Sequence, residues 1–256
     1  MNNSLFTKIT DRAIKLVGPK YLYQAGQVGK RNLLDREAWL EQSLLKIPAQ
    51  SRILDAGAGE LKYKKFCAHL KYVSQDFAQY DGVGDAVGLQ TKTWDQTRLD
   101  IISDITSIPE SDGAFDAVMC IEVLEHVPYP VDALREISRL LRTGGYLVVT
   151  APFNSLTHFA PYFYQTGYSQ YFYRYWLEKF GFEIIDLQEN GNYFEYLAQE
   201  LNRLPSVANK YASEKLTWLE RKALNIVSNA LGRFSSKDKG SSEFLNFGLH
   251  VFAQKK

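Results

Sequence analysis

The sequence predicts an α/β fold with a seven-stranded, mostly parallel sheet. Between residues 51 and 188, short apolar or β-branched runs alternate with helical patterns, which is typical of βαβ units around a parallel sheet. The strands predicted in this range are 52–55, 71–75, 100–103, 115–121, 145–150 and 182–188. Another apolar run follows at 248–254, and a strand so late in the chain must pair with strands already formed. We therefore expect the last strand to be antiparallel and to lie beside the sixth.

The clearest helical pattern lies between the fourth and fifth predicted strands. Val131, Leu134 and Ile137 recur there at helical spacing. Pro130 precedes them, and proline is favoured in the first turn of a helix because its fixed φ suits the helix and it has no N–H to leave unpaired. Helices that connect the strands in this way would cover both faces of the sheet.

Helical patterns also flank the predicted sheet. Before it, Asp35 is placed to cap a helix. We predict an N-terminal helical flap at 1–47, followed by a domain at 48–256 that carries a helical insertion at about 190–245.

Composition indicates a substantial core and no nucleic-acid partner. The chain has 256 residues, of which 45% are apolar, enough to bury one large core. Its net charge is only +1, and no run of Lys or Arg suits a phosphate backbone. Residues 50–199 hold 12 Lys or Arg against 20 Asp or Glu, so the flanks are basic. This asymmetry is compatible with an anionic acceptor or a membrane surface, and scattered solvated side chains explain it equally well.

Apolar runs and cysteines predict a cytoplasmic protein that requires no metal. No run approaches the ~20 apolar residues of a membrane-spanning helix, and the N-terminus lacks the apolar core of a signal peptide. Cys67 and Cys120 are far apart, which favours reduced thiols over a disulfide framework. The histidines, at positions 69, 126, 158 and 250, show no metal-ligand spacing. Peripheral membrane contact and a homodimer stay open.

A glycine-containing turn follows the first predicted strand. The segment Asp55-Ala56-Gly57-Ala58-Gly59 connects this strand to a helical pattern. Glycines at such a turn let the backbone approach a ligand closely. The pattern alone is also typical of an ordinary strand-to-helix turn.

Two further acids at strand ends strengthen the prediction of a nucleoside site. Asp76 lies about 20 residues after the turn, where a carboxylate can accept both hydroxyls of a ribose. Asp104 follows the third strand and can face an adenine amino group, leaving the backbone N–H of Ile105 for the ring. Dinucleotide enzymes use a third glycine in the turn, and Leu61 stands there instead. The set therefore favours an adenosyl cofactor over NAD.

Residues 51 to about 188 resemble the class I S-adenosylmethionine-dependent methyltransferases, particularly the group called methyltransferase type 11. The segments that carry this resemblance are ILDAGAGE, SDITSIP, FDAVMCIEVLEHVPYP, ALREISRLLRTGGYLVVTAPF and FGFEI. The resemblance implies a Rossmann-like sheet, S-adenosylmethionine as cofactor, and methyl transfer to oxygen, nitrogen or carbon. A small or medium-sized acceptor is implied, such as a metabolite, sugar, lipid precursor or quinone-like ring. A non-catalytic scaffold that keeps the cofactor fold, or an NAD-linked oxidoreductase, remains as an alternative.

The resemblance also implies which residues bind the cofactor. They are Asp55, Ala56, Gly57, Ala58, Gly59, Asp76, Phe77, Asp104, Ile105, Glu122 and Val123. In this set the glycine turn surrounds the methionine part, the acids hold the ribose and the adenine amino group, and Phe77 packs on the purine. Glu125 and His126 follow in the same motif, where packing and helix capping are the expected roles.

An acid–base residue is needed only if the acceptor loses a proton on methylation. His158, in the loop after the fifth strand, is the candidate general base, because histidine titrates near neutral pH and loops at that edge face the ligand. It could instead simply bind a backbone carbonyl. Several tyrosines are predicted to line the acceptor pocket with it, or else to belong to the core. They are Tyr21, Tyr23, Tyr162 and Tyr164.

Overall fold

The computed structural model describes residues 27–91 and 93–256, and it contains the seven predicted strands. These are β1 (Arg52–Ala56), β2 (Lys71–Asp76), β3 (Ile101–Ile102), β4 (Phe115–Ile121), β5 (Leu141–Pro152), β6 (Phe182–Asn190) and β7 (Gly248–Lys255). Their order in the sheet is β3-β2-β1-β4-β5-β7-β6. The first five strands pair in parallel, whereas β7 is antiparallel to both β5 and β6. The predicted sheet, with its antiparallel last strand, is confirmed.

Five α-helices lie in the described residues. They are α1 (Asn32–Leu44), α2 (Pro130–Leu140), α3 (Gln170–Lys179), α4 (Tyr193–Val207) and α5 (Trp218–Ser235). None of the helices within 27–91 and 93–256 is long and apolar enough to cross a membrane. The predicted cap at Asp35 is wrong, because α1 begins earlier and Asp35 lies within its first turn. There it forms an ion pair with Arg31 at 2.7 Å.

The chain divides into two compact units, which group its residues differently from the predicted boundary at residue 47. The sheet unit comprises Arg36–Asn190 and Phe247–Lys256. The helical unit comprises Gly191–Asn246 together with residues 27–35. The residues of the predicted flap that follow Asp35 therefore belong to the sheet unit.

The helical unit is built on α4 and α5. The side chain of Asn192 caps α4 by accepting a hydrogen bond from the N–H of Glu195, and Thr217 with Glu220 forms a capping box on α5. Val28, Ala198 and Leu231 form a small apolar cluster in this unit. The caps satisfy N–H groups that the first turn of each helix leaves unpaired.

The sheet unit buries apolar side chains on both faces of the sheet, because successive side chains of a strand point in opposite directions. On one face Leu54 and Val118 pack with residues of α2 and α3. On the other face Ile53 and Met119 pack with Leu40 of α1. Central strands covered on both sides leave only their ends and connecting loops to face solvent or a ligand.

We expect Ile137→Ala to destabilise the sheet unit by about 2 to 5 kcal/mol, because Ile137 is fully buried in α2 and its loss leaves a cavity. Urea unfolding followed by circular dichroism measures the free energy of unfolding. The matched control is Ile185→Ala on β6, where the side chain is 53% exposed and a change below about 1 kcal/mol is expected. Equal losses in the two variants would contradict this assignment of the core.

Candidate functional site

The carboxyl ends of the central parallel strands meet at one edge of the sheet. In the register, Asp55 of β1 lies opposite Ser74 of β2 on one side and Met119 of β4 on the other. A cavity of about 430 Å³ opens there, within the range of small-molecule sites. Seven predicted cofactor residues line this cavity: Gly57, Asp76, Phe77, Asp104, Ile105, Glu122 and Val123.

In the turn after β1, position 57 has room only for glycine. Its φ is +84°, which side chains rarely adopt, and a Cβ there would lie 2.4 Å from Cγ2 of Val123. The N–H groups of Gly57 and Ala58 both donate to the carbonyl oxygen of Gln75 at 2.8 Å. The turn is thereby tied to the end of β2, and its backbone forms one wall of the cavity.

Asp76 connects this turn to the cavity. Its Oδ2 accepts from the N–H of Gly59 and its Oδ1 from the N–H of Ala78, each at 2.9 Å. Burial raises the pKa of Asp76, while these backbone hydrogen bonds act in the opposite direction. Asp104, which also lines the cavity, accepts hydrogen bonds from the N–H and the hydroxyl of Thr106, both at Oδ1. Both carboxylates keep acceptor capacity for a ligand.

Four of the predicted cofactor residues do not line the cavity: Asp55, Ala56, Ala58 and Gly59. Asp55 is buried behind the turn, where its Oδ2 accepts from the hydroxyl of Tyr72 at 2.6 Å. Burial raises the pKa of Asp55 to about 7, and the negative charge of Asp76 acts in the same direction. Direct cofactor contact by these four residues stays a prediction.

Glu122 is held in a strained position at the end of β4. Its φ is +57°, in the left-handed region that glycine favours, and a residue held there by its surroundings is a common feature of ligand sites. Its Oε1 accepts from the hydroxyl of Thr150 at 2.9 Å, and its Oε2 forms an ion pair with Arg36. Sequence reasoning missed Arg36, since only the packing of α1 on the sheet brings it to β4.

An aromatic wall covers one side of the cavity. It consists of Tyr80 and Trp94, from the long connection between β2 and β3, and Phe159 from the loop after β5. Tyr80 stacks on Phe159 with ring centroids 4.8 Å apart, and Trp94 meets both rings edge-on at 4.9 and 5.4 Å. All three residues line the cavity. Sequence reasoning missed Tyr80 and Trp94, although aromatic residues in a glycine-rich connection can indicate a pocket wall.

Of the predicted acceptor residues, Tyr162 and Tyr164 line the cavity. The ring of Tyr162 meets Phe77 edge-on at 4.9 Å between centroids. Tyr21 and Tyr23 lie outside the described residues. His158 is not among the lining residues, whereas His126 is.

His158 instead belongs to a cluster with Glu125 and His126. The Nε2 atoms of His126 and His158 lie 3.7 and 3.8 Å from Oε1 of Glu125, longer than hydrogen bonds. Their Nδ1 atoms lie 2.6 and 2.8 Å from the carbonyl oxygens of Tyr162 and Leu156. We call this group the Glu–His cluster.

The titration of the Glu–His cluster is shifted in three ways. Burial raises the pKa of Glu125 to about 7, and burial together with the charge of His158 lowers the pKa of His126 to about 4. Burial also acts to lower the pKa of His158, but the neighbouring Glu125 outweighs it and the net pKa is raised. These shifts favour a proton on Glu125 or His158 and disfavour one on His126.

A family model described as "Methyltransferase domain" matches residues 31–204, which is more than half of the chain. The chain belongs to this methyltransferase family. One curated relative is the ubiquinone biosynthesis O-methyltransferase of Xanthomonas oryzae pv. oryzae. The two chains are 34% identical over 105 residues. That match covers 40% of this chain and 43% of the relative, so it spans less than half the length of the curated relatives.

Solved structures agree on the fold of this methyltransferase-family chain. A SAM-dependent methyltransferase from Archaeoglobus fulgidus matches with a TM-score of 0.52 and 16% identity, covering 88% of this chain and 95% of that one. The [4+2]-cyclase SpnF matches with a TM-score of 0.53 and 19% identity, covering 98% of this chain and 94% of that one. These matches confirm the Rossmann-like fold and no more, since one fold hosts different reactions.

Asp55→Asn tests the burial of Asp55 in this methyltransferase domain. The pKa of this carboxyl group is about 7 in the folded chain and near 3.9 in the unfolded chain, so the folded chain holds the proton more strongly. The free energy of unfolding therefore decreases as pH rises from about 4 to 7. We expect the free energy of unfolding of the unmodified chain to fall by about 1 to 3 kcal/mol more than that of Asp55→Asn between pH 5 and 8. Urea unfolding at both pH values measures this difference.

The control is Asp112→Asn, at an exposed acid. Its free energy of unfolding should depend on pH as in the unmodified chain. The same pH dependence in Asp55→Asn would show that Asp55 is not held protonated by the fold.

Proposed function

We propose that this chain catalyses S-adenosylmethionine-dependent methyl transfer to an oxygen, nitrogen or carbon atom of a small or medium-sized acceptor. One observation carries the proposal: Asp76, Asp104 and the glycine turn at Gly57 line a single cavity in a chain of the methyltransferase family. Carboxylates at the ends of neighbouring parallel strands, beside a tight turn, suit a nucleoside ligand at this edge of an α/β sheet.

The residues present fit the cofactor. A carboxylate such as Asp76, with lone pairs free beyond its two backbone hydrogen bonds, can accept the hydroxyls of a ribose. Asp104 can accept an adenine amino group, and Phe77 offers an aromatic face to the purine. The backbone of Gly57 allows close approach of the methionine part, because no side chain projects there.

Methyl transfer needs mainly alignment and a dry site. S-adenosylmethionine supplies a methyl group on sulfur, so that an acceptor lone pair forms the new bond as the carbon–sulfur bond breaks and its electron pair remains on sulfur. Tyr80, Trp94 and Phe159 form a continuous aromatic wall that excludes water from one side of the cavity. Tyr162 and Tyr164 add phenol groups that can orient an acceptor.

Where the acceptor loses a proton, we propose that the Glu–His cluster receives it, with His158 as the predicted acid–base residue. His158 has no atom on the cavity, but it lies 3.8 Å from Glu125, which is 3.7 Å from the cavity residue His126. The raised pKa values of Glu125 and His158 support such a role, because they favour a proton within the cluster.

An aromatic acceptor of the quinone type is favoured among the predicted classes. The wall of aromatic rings suits a flat ring by stacking. The curated relative from Xanthomonas oryzae is named for an O-methyl transfer in ubiquinone biosynthesis, which supports this choice for the matched segment.

We also propose a cellular location for the reaction and a class of acceptor. Cys67 and Cys120 are free and buried, which supports a reducing, cytoplasmic location. The net charge of +1 supports a small-molecule acceptor over a nucleic acid. The [4+2]-cyclase SpnF shares the fold, so the fold does not by itself determine the reaction and methyl transfer has to be measured directly.

Asp76→Ala tests cofactor binding. Loss of a charged hydrogen-bond acceptor should weaken binding of S-adenosylhomocysteine by about 1 to 3 kcal/mol, measured by isothermal titration calorimetry. Asp76 also accepts a hydrogen bond from the N–H of Gly59, so Asp76→Ala could disturb the turn itself. The second variant is therefore Asp104→Ala, because Asp104 bonds Thr106 and not the turn, and a similar loss of affinity is expected. The control is Asp112→Ala, an exposed acid outside the cavity.

Unchanged affinity in both Asp76→Ala and Asp104→Ala, with the far-ultraviolet circular dichroism of the unmodified chain, would contradict the proposed cofactor site. Binding of NADH in place of S-adenosylhomocysteine would support the oxidoreductase alternative.

His158→Ala tests the acid–base role. We expect turnover to fall about 10² to 10⁴-fold while affinity for S-adenosylhomocysteine stays within about twofold, because His158 does not line the cavity. Transfer of label from methyl-tritiated S-adenosylmethionine to a panel of phenol, catechol and amine acceptors measures turnover. His69→Ala, whose ring bonds the carbonyl oxygen of Leu44, is the control and should keep full activity. Full turnover of His158→Ala across neutral pH would exclude the acid–base role.

A further inference from the structure

The Glu–His cluster has the arrangement of a metal site. Glu125, His126 and His158 each offer one ligand atom, and these three atoms lie within 4.8 Å of one another. The chain brings them together from two loops, since His158 follows β5 whereas the other two residues follow β4.

The two imidazoles are oriented as ligands. Each Nδ1 lies at hydrogen-bond distance from a backbone carbonyl oxygen, which can only accept, so each Nδ1 carries a proton that it donates. In the neutral rings the lone pairs are therefore on the Nε2 atoms. Both Nε2 atoms face Oε1 of Glu125. Fixing the ring by an Nδ1–H bond to a carbonyl is the usual support of a metal-binding histidine.

The charge of Glu125 interacts electrostatically with His158 and Arg36, but no described residue forms a hydrogen bond with its carboxylate oxygens. The Glu125 side chain is fully buried, and Nε2 of His126 also has no hydrogen-bond partner among the described residues. The nearby Arg36 is paired with Glu122. A buried carboxylate facing two nitrogen lone pairs is unfavourable unless a positive species lies between them.

We propose that Glu125, His126 and His158 bind one divalent transition-metal cation, with Zn²⁺ as the reference ion. Two imidazole nitrogens and one carboxylate oxygen are a ligand set of catalytic zinc and of other divalent transition metals. Ligand atoms at about 2.0 to 2.2 Å from an ion can be at most about 4.3 Å apart. The Glu125 separations of 3.7 and 3.8 Å satisfy this limit, and the three ligand atoms, which lie within 4.8 Å of one another, need at most a small inward shift of the imidazoles to bind one ion.

The position of this cation gives it a function. His126 lines the cavity, so the cation lies beside the space for the acceptor. Three protein ligands leave a coordination position for water or for an acceptor oxygen, whose acidity a cation increases. His158 then acts as a metal ligand, and the prediction from sequence that no metal is required would be wrong. Metal binding itself does not depend on the proposed methyl transfer.

The test measures metal binding by the full chain without cofactor. Protein dialysed against EDTA and then against chelator-free buffer is titrated with Zn²⁺ by isothermal titration calorimetry, and with Co²⁺ by visible absorption. We expect one Zn²⁺ per chain and a Co²⁺ spectrum typical of nitrogen and oxygen ligands. His158→Ala, His126→Ala and Glu125→Gln should each weaken Zn²⁺ binding at least about tenfold, because even loss of a residue that only orients a ligand costs that much.

His69→Ala is the matched control and should bind Zn²⁺ like the unmodified chain, since His69 lies outside the cluster. Circular dichroism of each variant separates loss of the site from loss of the fold. If Glu125→Gln does not fold, His158→Ala decides, because the side chain of His158 is 20% exposed.

Stoichiometric binding that is lost in His158→Ala and kept in His69→Ala supports the proposal. The proposal would be overturned if neither Zn²⁺ nor Co²⁺ bound stoichiometrically, or if His158→Ala bound Zn²⁺ as tightly as the unmodified chain. A proton shared within the cluster would then be the positive species beside Glu125. Titration with S-adenosylhomocysteine is run on the same samples, so that failure of the metal site is distinguished from failure of the cofactor site.

Discussion

The parallel pairing of β1 with β2 and β4 is the constraint on which the site depends. Parallel strands end at the same edge of a sheet, so this pairing places the turn at Gly57, the carboxylate of Asp76 and the side chain of Glu122 around one cavity. Neighbouring strand residues face opposite sides, so a shift of one residue in the register would exchange the two faces of β1. Leu54 and Ile53, buried on opposite faces, hold the register.

The strands and several residues that line the cavity could be predicted because their signals are local. A central parallel strand is rich in apolar residues, and the acids that line the cavity stand at strand ends, because Asp76 ends β2 and Asp104 follows β3. β4 was predicted with its observed bounds, Phe115–Ile121. The position of each acid then follows from the strand before it, without knowledge of distant contacts.

The rest of the site depends on contacts between distant segments, for which the sequence carries no local signal. Arg36 meets Glu122 only through the packing of α1, and Trp94 reaches the cavity within an irregular connection. His158 approaches Glu125 although 32 residues separate them in the chain. Proximity of His158 to the ligand edge was predictable from its loop, whereas its orientation toward Glu125 and away from the cavity was not.

The turn after β4 concentrates features that stability alone does not favour. Glu122 has a left-handed backbone, which costs about 1 to 3 kcal/mol in a non-glycine residue. Three residues later, Glu125 is a buried carboxylate without a hydrogen bond from the described residues, and apolar residues of similar volume are often more stable than buried charges. Elsewhere in this sheet unit the central strands bury apolar side chains that pack against helices. Packing within the sheet unit therefore explains neither feature, and both lie next to residues that line the cavity, which is typical of a ligand site.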